Sequence, residues 1–311
     1  MKTLFDMQRK FHENLYGDVS KLPLEDRERI TQVLSLALHQ EVASLAEAVH
    51  YKEHHKRATE PNLNNITYEA VDIIRYAISV LNTWDITPER FQAAYDEKNA
   101  YLELSQQMAS REWNGQPVII FDMDDVIVDF RVSFAQWLSD EHGIVVDVLS
   151  PEYYFIDALK ESGYNPEGIF IEFLQGGGFQ NLPPVNDILK VLHDLKDAGY
   201  WIHILTARPD ENLRCKYDTY VWLKTYGAPI DRISFSAEKF RWCAHSAYYD
   251  SNAIICAIDD SPKHATEYAN HGITTLVPSR SFNQKIRGHN NIIHYDDPKL
   301  ILKIVNSLSN S

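Results

Sequence analysis

Up to about residue 110, apolar positions recur every three or four residues; beyond it they gather in short unbroken runs. In the first stretch, blocks at about 27 to 57, 66 to 83 and 88 to 110 carry the helical period, and Gly17 is its one glycine. At "SREWNGQP" (110 to 117) the texture changes, with Asn114, Gly115 and Pro117 as turn residues. After it, "VIIF", "YWIHILT", "AIICAID" and "TTLVP" alternate with amphipathic stretches such as "VNDILKVLHDLKDAG" and "SPKHATEYANHG". Strand-like runs separated by helix-like ones predict a parallel α/β sheet. The spacing therefore predicts two domains, an all-α bundle over 1–112 and an α/β domain over 113–311.

Composition keeps this picture and narrows the partners. With 44% apolar and 24% charged residues the chain reads as a soluble globular protein, and no apolar run is long enough to span a bilayer. The N-terminal "MKTLFDMQRKFHENLYGD" alternates polar and apolar residues and lacks the apolar stretch of a signal peptide, so a cytoplasmic location and no membrane partner are expected. Cys215, Cys243 and Cys256 have no metal-ligand spacing and read as free thiols. The net charge of −14 argues against a nucleic-acid partner. A phosphorylated small substrate stays open, because a bound cation reverses the local field.

Candidate chemistry concentrates where apolar runs end. Asp122 and Asp124 follow "VIIF", Thr206 ends "WIHILT", Asp259 and Asp260 follow "AIICAI", and Lys239 lies in "FSAEKF". Functional groups of open parallel sheets gather beyond the carboxyl ends of the strands. A lone acidic turn would be a solvated loop; three such ends together with Lys239 supply four carboxylates, a hydroxyl and an ammonium. Carboxylates so crowded need a proton or a hard cation between them, and Mg2+ is the oxygen-preferring choice.

The ordered set Asp122-Met123-Asp124, Thr206, Lys239 and Asp259-Asp260 resembles the haloacid dehalogenase (HAD) phosphohydrolases over roughly residues 117 to 290. "FDMDDVIVDF", "GGGFQNLPPV" and "AIDDSPKH" look most like the 5'(3')-deoxyribonucleotidases, with Asp125 where that group usually has glycine. The resemblance implies Asp122 as nucleophile, Asp124 as acid and base, and Mg2+ held by Asp122, Asp259 or Asp260, and the Asp124 carbonyl. It implies phosphate contacts from Thr206, Ala207, Arg208 and Lys239, with Lys263 the competing lysine. The insert at about 131–184 would form a small helical cap. Its aromatics, Phe134, Trp137, Tyr153, Tyr154, Phe155, Tyr164, Phe170, Phe173 and Phe179, form the cap's own core or stack on a nucleobase.

Two helical blocks carry acids on apolar faces. Glu41 falls among Leu34, Leu38, Leu45 and Ala48; Glu69 and Asp72 share a face with Ile73, Tyr76 and Val80. Partly buried carboxylates need a cationic partner or a metal. "LFDMQRKFHENLYG", "HQEVASLAEAVHYK" and "EAVDIIRYAISVLN" resemble the all-α nucleoside triphosphate pyrophosphohydrolases of the MazG and dimeric dUTPase group. The resemblance implies a Mg2+ site at Glu41, Glu69 and Asp72, phosphate contacts from Lys52, Lys98 and Asn99, and a homo-oligomer built through the helical domain. Ser44 stands where the ExxE motif of that group has its second glutamate.

The expected function is a Mg2+-dependent nucleotide phosphohydrolase. Its HAD half would dephosphorylate (deoxy)nucleoside monophosphates; its helical half would cleave triphosphates to monophosphate and pyrophosphate, or be degenerate. The alternatives are a helical half that only dimerises or senses nucleotide, and a HAD half that acts on polynucleotide ends.

Overall fold

The computed structural model describes residues 1–49, 61–152 and 155–309. The chain forms two compact units, Met1–Asp96 and Glu97–Ser311. The first consists of α1 (Lys2–Tyr16), α2 (Leu24–Ala48), α3 (Leu63–Thr83) and the start of α4 (Pro88–Ala109), within which the units divide. The three helix-like blocks correspond to α2, α3 and α4, positions 50–57 of the first lying outside the described residues; α1 precedes them. Asn62 starts α3 by accepting from the free backbone N–H groups of Asn64 and Asn65 at 3.0 and 3.3 Å. Val19, Ile30 and Leu34 make the small core, with Tyr76 and Val80 of α3 packed on it.

The second unit is built on a wholly parallel sheet of β1 (Val118–Phe121), β2 (Trp201–Thr206), β3 (Arg232–Phe235), β4 (Ile254–Ile258), β5 (Thr274–Pro278) and β6 (Ile292–Tyr295). Between β1 and β2 lie α5 (Phe130–His142), α6 (Ile156–Glu161), α7 (Pro166–Gln175) and α8 (Ile188–Asp197). The remaining helices are α9 (Leu213–Tyr226), α10 (Lys239–Ala244), α11 (Pro262–Asn270) and α12 (Lys299–Ser309). β1 and β2 are buried along their whole length, which is why they read as continuous apolar runs. The pattern missed β3 and β6. They are the sheet's edges, where half-buried Arg232 and His294, and Ser234 bonded to the buried His203 ring, interrupt the apolar sequence.

Strand order is β3-β2-β1-β4-β5-β6. The winding direction therefore reverses between β1 and β4. Neighbouring connections leave opposite faces at that point and open a crevice beyond the carboxyl ends. Phe121 and Ile258, the last residues of the two strands, stand in register there.

Candidate active site

The residues after Phe121 and Ile258 are the first members of the site. Asp122 donates its backbone N–H to the Ile258 carbonyl at 2.8 Å, so Asp122 and Asp259 leave adjacent strands side by side. Lys239, at the start of α10, has its side chain 1% exposed, with Nζ 2.7 Å from both Asp122 Oδ1 and Asp259 Oδ2. Asp122 Oδ1 also accepts from the Met123 N–H at 2.7 Å, and Asp259 Oδ1 from the Ser261 N–H at 2.9 Å. Asp260 has both carboxylate oxygens buried without a hydrogen-bond partner among the described residues. Ligand oxygens of Asp122, Asp259 and Asp260 all lie within 4.8 Å of one another.

One ammonium faces three buried carboxylates. Burial pushes Asp122 up to about 7; Lys239 opposes this, and Asp259 and Asp124 reinforce it. Asp259 is raised by burial against the pull of Lys239. Burial, then the charges of Asp125, Asp122 and Asp259, puts Asp260 well above the carboxylate range. Burial draws Lys239 down, but Asp122 and Asp259 outweigh it and hold the ammonium protonated. The surplus of carboxylates and the two unpartnered Asp260 oxygens suit a hard divalent cation, and the donor set fits Mg2+.

Asp124 faces a different partner. Arg208 donates from Nε to Asp124 Oδ2 at 2.9 Å and from Nη2 to Oδ1 at 2.6 Å, a bidentate pair. Its Nη1 donates to Thr219 Oγ1 at 2.9 Å, and its guanidinium lies 4.2 Å from the centre of the Phe179 ring. Arg208, expected at the substrate, thus bonds Asp124 and lines the same cavity as it does. Only the pairing of β1 with β2 brings the two residues together, so nothing local in the sequence marks them. Thr206 is fully buried at the end of β2, and its Oγ1 accepts the Arg208 N–H at 3.3 Å.

Asp125 has φ 56°, in the left-handed region. Glycine enters that region freely and aspartate tolerates it, which accounts for the exchange between the two at this position. Here the side chain has a task that glycine cannot perform. Its Oδ1 accepts the Arg131 N–H at 2.8 Å, satisfying a free donor in the first turn of α5.

Asp122, Asp124, Ala207, Arg208 and Lys239 line a cavity of ≈ 790 Å³, whose opposite wall is apolar. Of the insert's aromatics, Phe134, Phe170 and Phe179 reach this wall, joined by Phe130. Phe155 and Phe173 are buried in the core, Trp137 packs against it, and Tyr164 is exposed. Tyr153 and Tyr154 lie outside the described residues. Gly178 lets the Phe173 ring lie against the backbone; a Cβ there would stand 2.4 Å from a ring carbon. Lys263 and His264 of α11, the first expected only as a competing lysine and the second not anticipated, also line the cavity.

The helical acids gather less closely. Glu41 on α2 and Glu69 and Asp72 on α3 are half-buried, but the strand-end aspartates are the only group of three convergent ligands among the described residues. Asp72 is paired with Arg75 at 3.3 Å, a cationic partner one helical turn away. Lys52 lies outside the described residues. Lys98 is exposed and Asn99 half-buried on α4, and neither lines the cavity.

A family model described as dUTPase matches residues 1–142, a span that runs through the helical unit and on into β1 and α5. Among solved structures, a predicted phosphatase from Clostridium acetobutylicum is 14% identical over 63% of this chain and 99% of its own, with a TM-score of 0.44. A HAD family hydrolase from Deinococcus radiodurans R1 is 16% identical over 63% of this chain and 97% of its own, also with a TM-score of 0.44. No curated protein matched the chain.

Proposed function

We propose that the second unit is a Mg2+-dependent phosphomonoesterase that removes phosphate from (deoxy)nucleoside monophosphates through an aspartyl-phosphate. The observation that carries this reading is the convergence of Asp122, Asp259, Asp260 and Lys239 at one crevice, with Asp124 on the wall of the same cavity. Lys239 and the Met123 N–H both bond Asp122 Oδ1, so Oδ2 is the oxygen left to attack phosphorus. As the Oδ2–P bond forms, the bond from phosphorus to the sugar oxygen breaks, and that oxygen takes a proton carried by Asp124, which must first release one of its two bonds from Arg208 to hold it. Asp124 then takes a proton from water; the water oxygen attacks phosphorus, phosphate leaves and Asp122 is restored. The Lys239 ammonium and the Thr206 hydroxyl stabilise charge on the phosphoryl oxygens. Asp122, Asp259, Asp260 and the Asp124 carbonyl would hold Mg2+, which when bound offsets the charge of phosphate and nucleophile. The phenylalanine wall offers a surface on which a base stacks and from which water is excluded.

For the helical unit two readings have support. The dUTPase match favours a nucleotide pyrophosphohydrolase. Ser44, the Asp72–Arg75 pair and the lack of a three-carboxylate cluster among the described residues of that unit favour a non-catalytic module. Leu4, Met7, Phe11 and Leu15 form an exposed apolar stripe along one face of α1, to which we assign a second copy of the chain. A screen of nucleoside mono- and triphosphates and 5'-phosphorylated oligonucleotides with Mg2+, scoring phosphate and pyrophosphate separately, tests the whole reading. Phosphate from monophosphates is the expected result. Phosphate from oligonucleotide ends alone would reassign the substrate, and neither product from any substrate would overturn the proposal.

A further inference from the structure

We propose that Glu167 reads the base of the substrate, and that the preferred substrates are guanine nucleotides. This deepens the phosphomonoesterase reading and rests on it.

From Phe130 to Phe179 the chain lends the cavity four phenylalanines, Ile156, Leu159 and Pro166, and one polar residue among those described, Glu167. Glu167 stands at the second position of α7. It is exposed, and its carboxylate has no hydrogen-bond or ion-pair partner among the described residues. An acid in a first turn suits the helix dipole on any face of the helix. This one precedes Phe170 by three residues, so the two side chains are neighbours on one face, and both line the cavity. Phe170 in turn meets Phe134 edge to face, with ring centres 6.5 Å apart, and Phe179 in the same way at 6.0 Å. The rings brace one another, and the wall they make has one acceptor group beside it.

The sugar of a nucleotide is bonded to the phosphate held at Asp122, so the base is the part that reaches the phenylalanine wall. A base stacked by its face leaves its edge for recognition. A carboxylate accepts through two oxygens and donates nothing. On its pairing edge guanine offers N1–H and the N2 amino group side by side, two donors for two carboxylate oxygens. Adenine and cytosine offer one amino group next to a ring nitrogen whose lone pair opposes the second oxygen. Uracil and thymine offer one N–H between two carbonyl oxygens, and both oppose it. A carboxylate on an otherwise apolar wall therefore ranks the bases, with guanine first and uracil and thymine last.

The test measures kcat/KM of the full chain with Mg2+ on the ribo- and deoxyribonucleoside monophosphates of guanine, hypoxanthine, adenine, cytosine and uracil. The guanine nucleotides should exceed the adenine ones by about tenfold, with the difference in KM. Hypoxanthine keeps N1–H and lacks the amino group, so it should fall between them. Glu167→Ala should remove the difference between guanine and adenine. Equal values for all bases, a highest value for any base other than guanine, or a guanine preference that survives Glu167→Ala would overturn the assignment and leave the phosphomonoesterase reading standing. A preference between ribose and deoxyribose that Glu167→Ala abolishes, without a preference among bases, would overturn it too and move the carboxylate to the sugar. Hydrolysis of none of these substrates would overturn the phosphomonoesterase reading and the assignment with it.

Discussion

Two hydrogen bonds on one oxygen define what Asp122 can do. Lys239 and the Met123 N–H fix Oδ1, so the carboxylate is held by one oxygen and presents the other. Asp122→Asn keeps the shape and removes the nucleophile; kcat for monophosphates should fall by roughly three powers of ten or more, with the thermal unfolding midpoint little changed. A different residue makes a prediction about stability. His203 is fully buried on β2, with Nδ1 2.6 Å from the Tyr249 hydroxyl and Nε2 3.0 Å from Ser234 Oγ. Burial first, then the Arg232 charge, pushes it down to about 3 from the ordinary 6.5. The unfolded chain therefore binds a proton that the folded chain refuses. The stability this confers is present above about pH 6.5 and is lost as pH falls toward 3. Between pH 7 and 5 the wild type should lose about 2 kcal/mol more than His203→Gln in denaturant titrations. A pH-independent difference between the two proteins would contradict the assignment. At this scale Asp122, Thr206, Asp259 and Asp260 were legible because they stand at the ends of apolar runs, while Lys239 follows an edge strand that the pattern missed. The tasks of Asp125 and Arg208 were not, since they depend on a left-handed backbone and a cross-strand pairing that no local pattern encodes.

Among the elements, the adjacent ends of β1 and β4 place the carboxylates, and the cap supplies the apolar wall. Because Asp122, Asp259 and Asp260 lie so close with one ammonium between them, EDTA should stop phosphate release and Mg2+ should restore it. Full activity in exhaustively chelated protein would contradict the metal assignment. The cap depends on a close approach: Gly178→Ala would drive a methyl into the Phe173 ring, costing about 1–3 kcal/mol of stability. Calorimetry should show a lowered unfolding midpoint, and an unchanged midpoint would mean that the ring has room to move. The doubly buried central strands were readable from their unbroken apolar sequence, and the edge strands β3 and β6 were not, because an edge admits polar residues. On α3 the face bearing Glu69 and Asp72 is half-buried as expected, while Val71 and Ile74 opposite are exposed. Periodicity separates two faces without saying which one is covered.

For the whole molecule, the chain joins a helical unit that a dUTPase family model matches to an α/β unit with an aspartate cluster at its strand ends. A relay from triphosphate to monophosphate to nucleoside is the hypothesis that follows. With Ser44 in place of a glutamate and Asp72 paired to Arg75, we expect little or no pyrophosphate release from triphosphates by the full chain carrying Asp122→Asn. Rapid release that disappears on adding Glu69→Gln would establish the relay instead. Assembly through α1 predicts a homo-oligomer by light scattering, reduced to monomer by Met7→Glu with Phe11→Glu; an unaltered mass would place the interface elsewhere. The division into a helical and an α/β half could be read from the change in period near residue 113, whereas the division in space falls within α4, a helix whose own pattern carries no break. The claim on which the rest depends is that the strand-end aspartates form a phosphomonoesterase with Asp122 as nucleophile. The most direct measurement is phosphate release from nucleoside monophosphates by the wild type and by Asp122→Asn, side by side with Mg2+. Robust release by the wild type and loss of at least about 99.9% of it in the variant is the predicted result. No release by the wild type, or a variant that keeps more than about a tenth of its turnover, would contradict it.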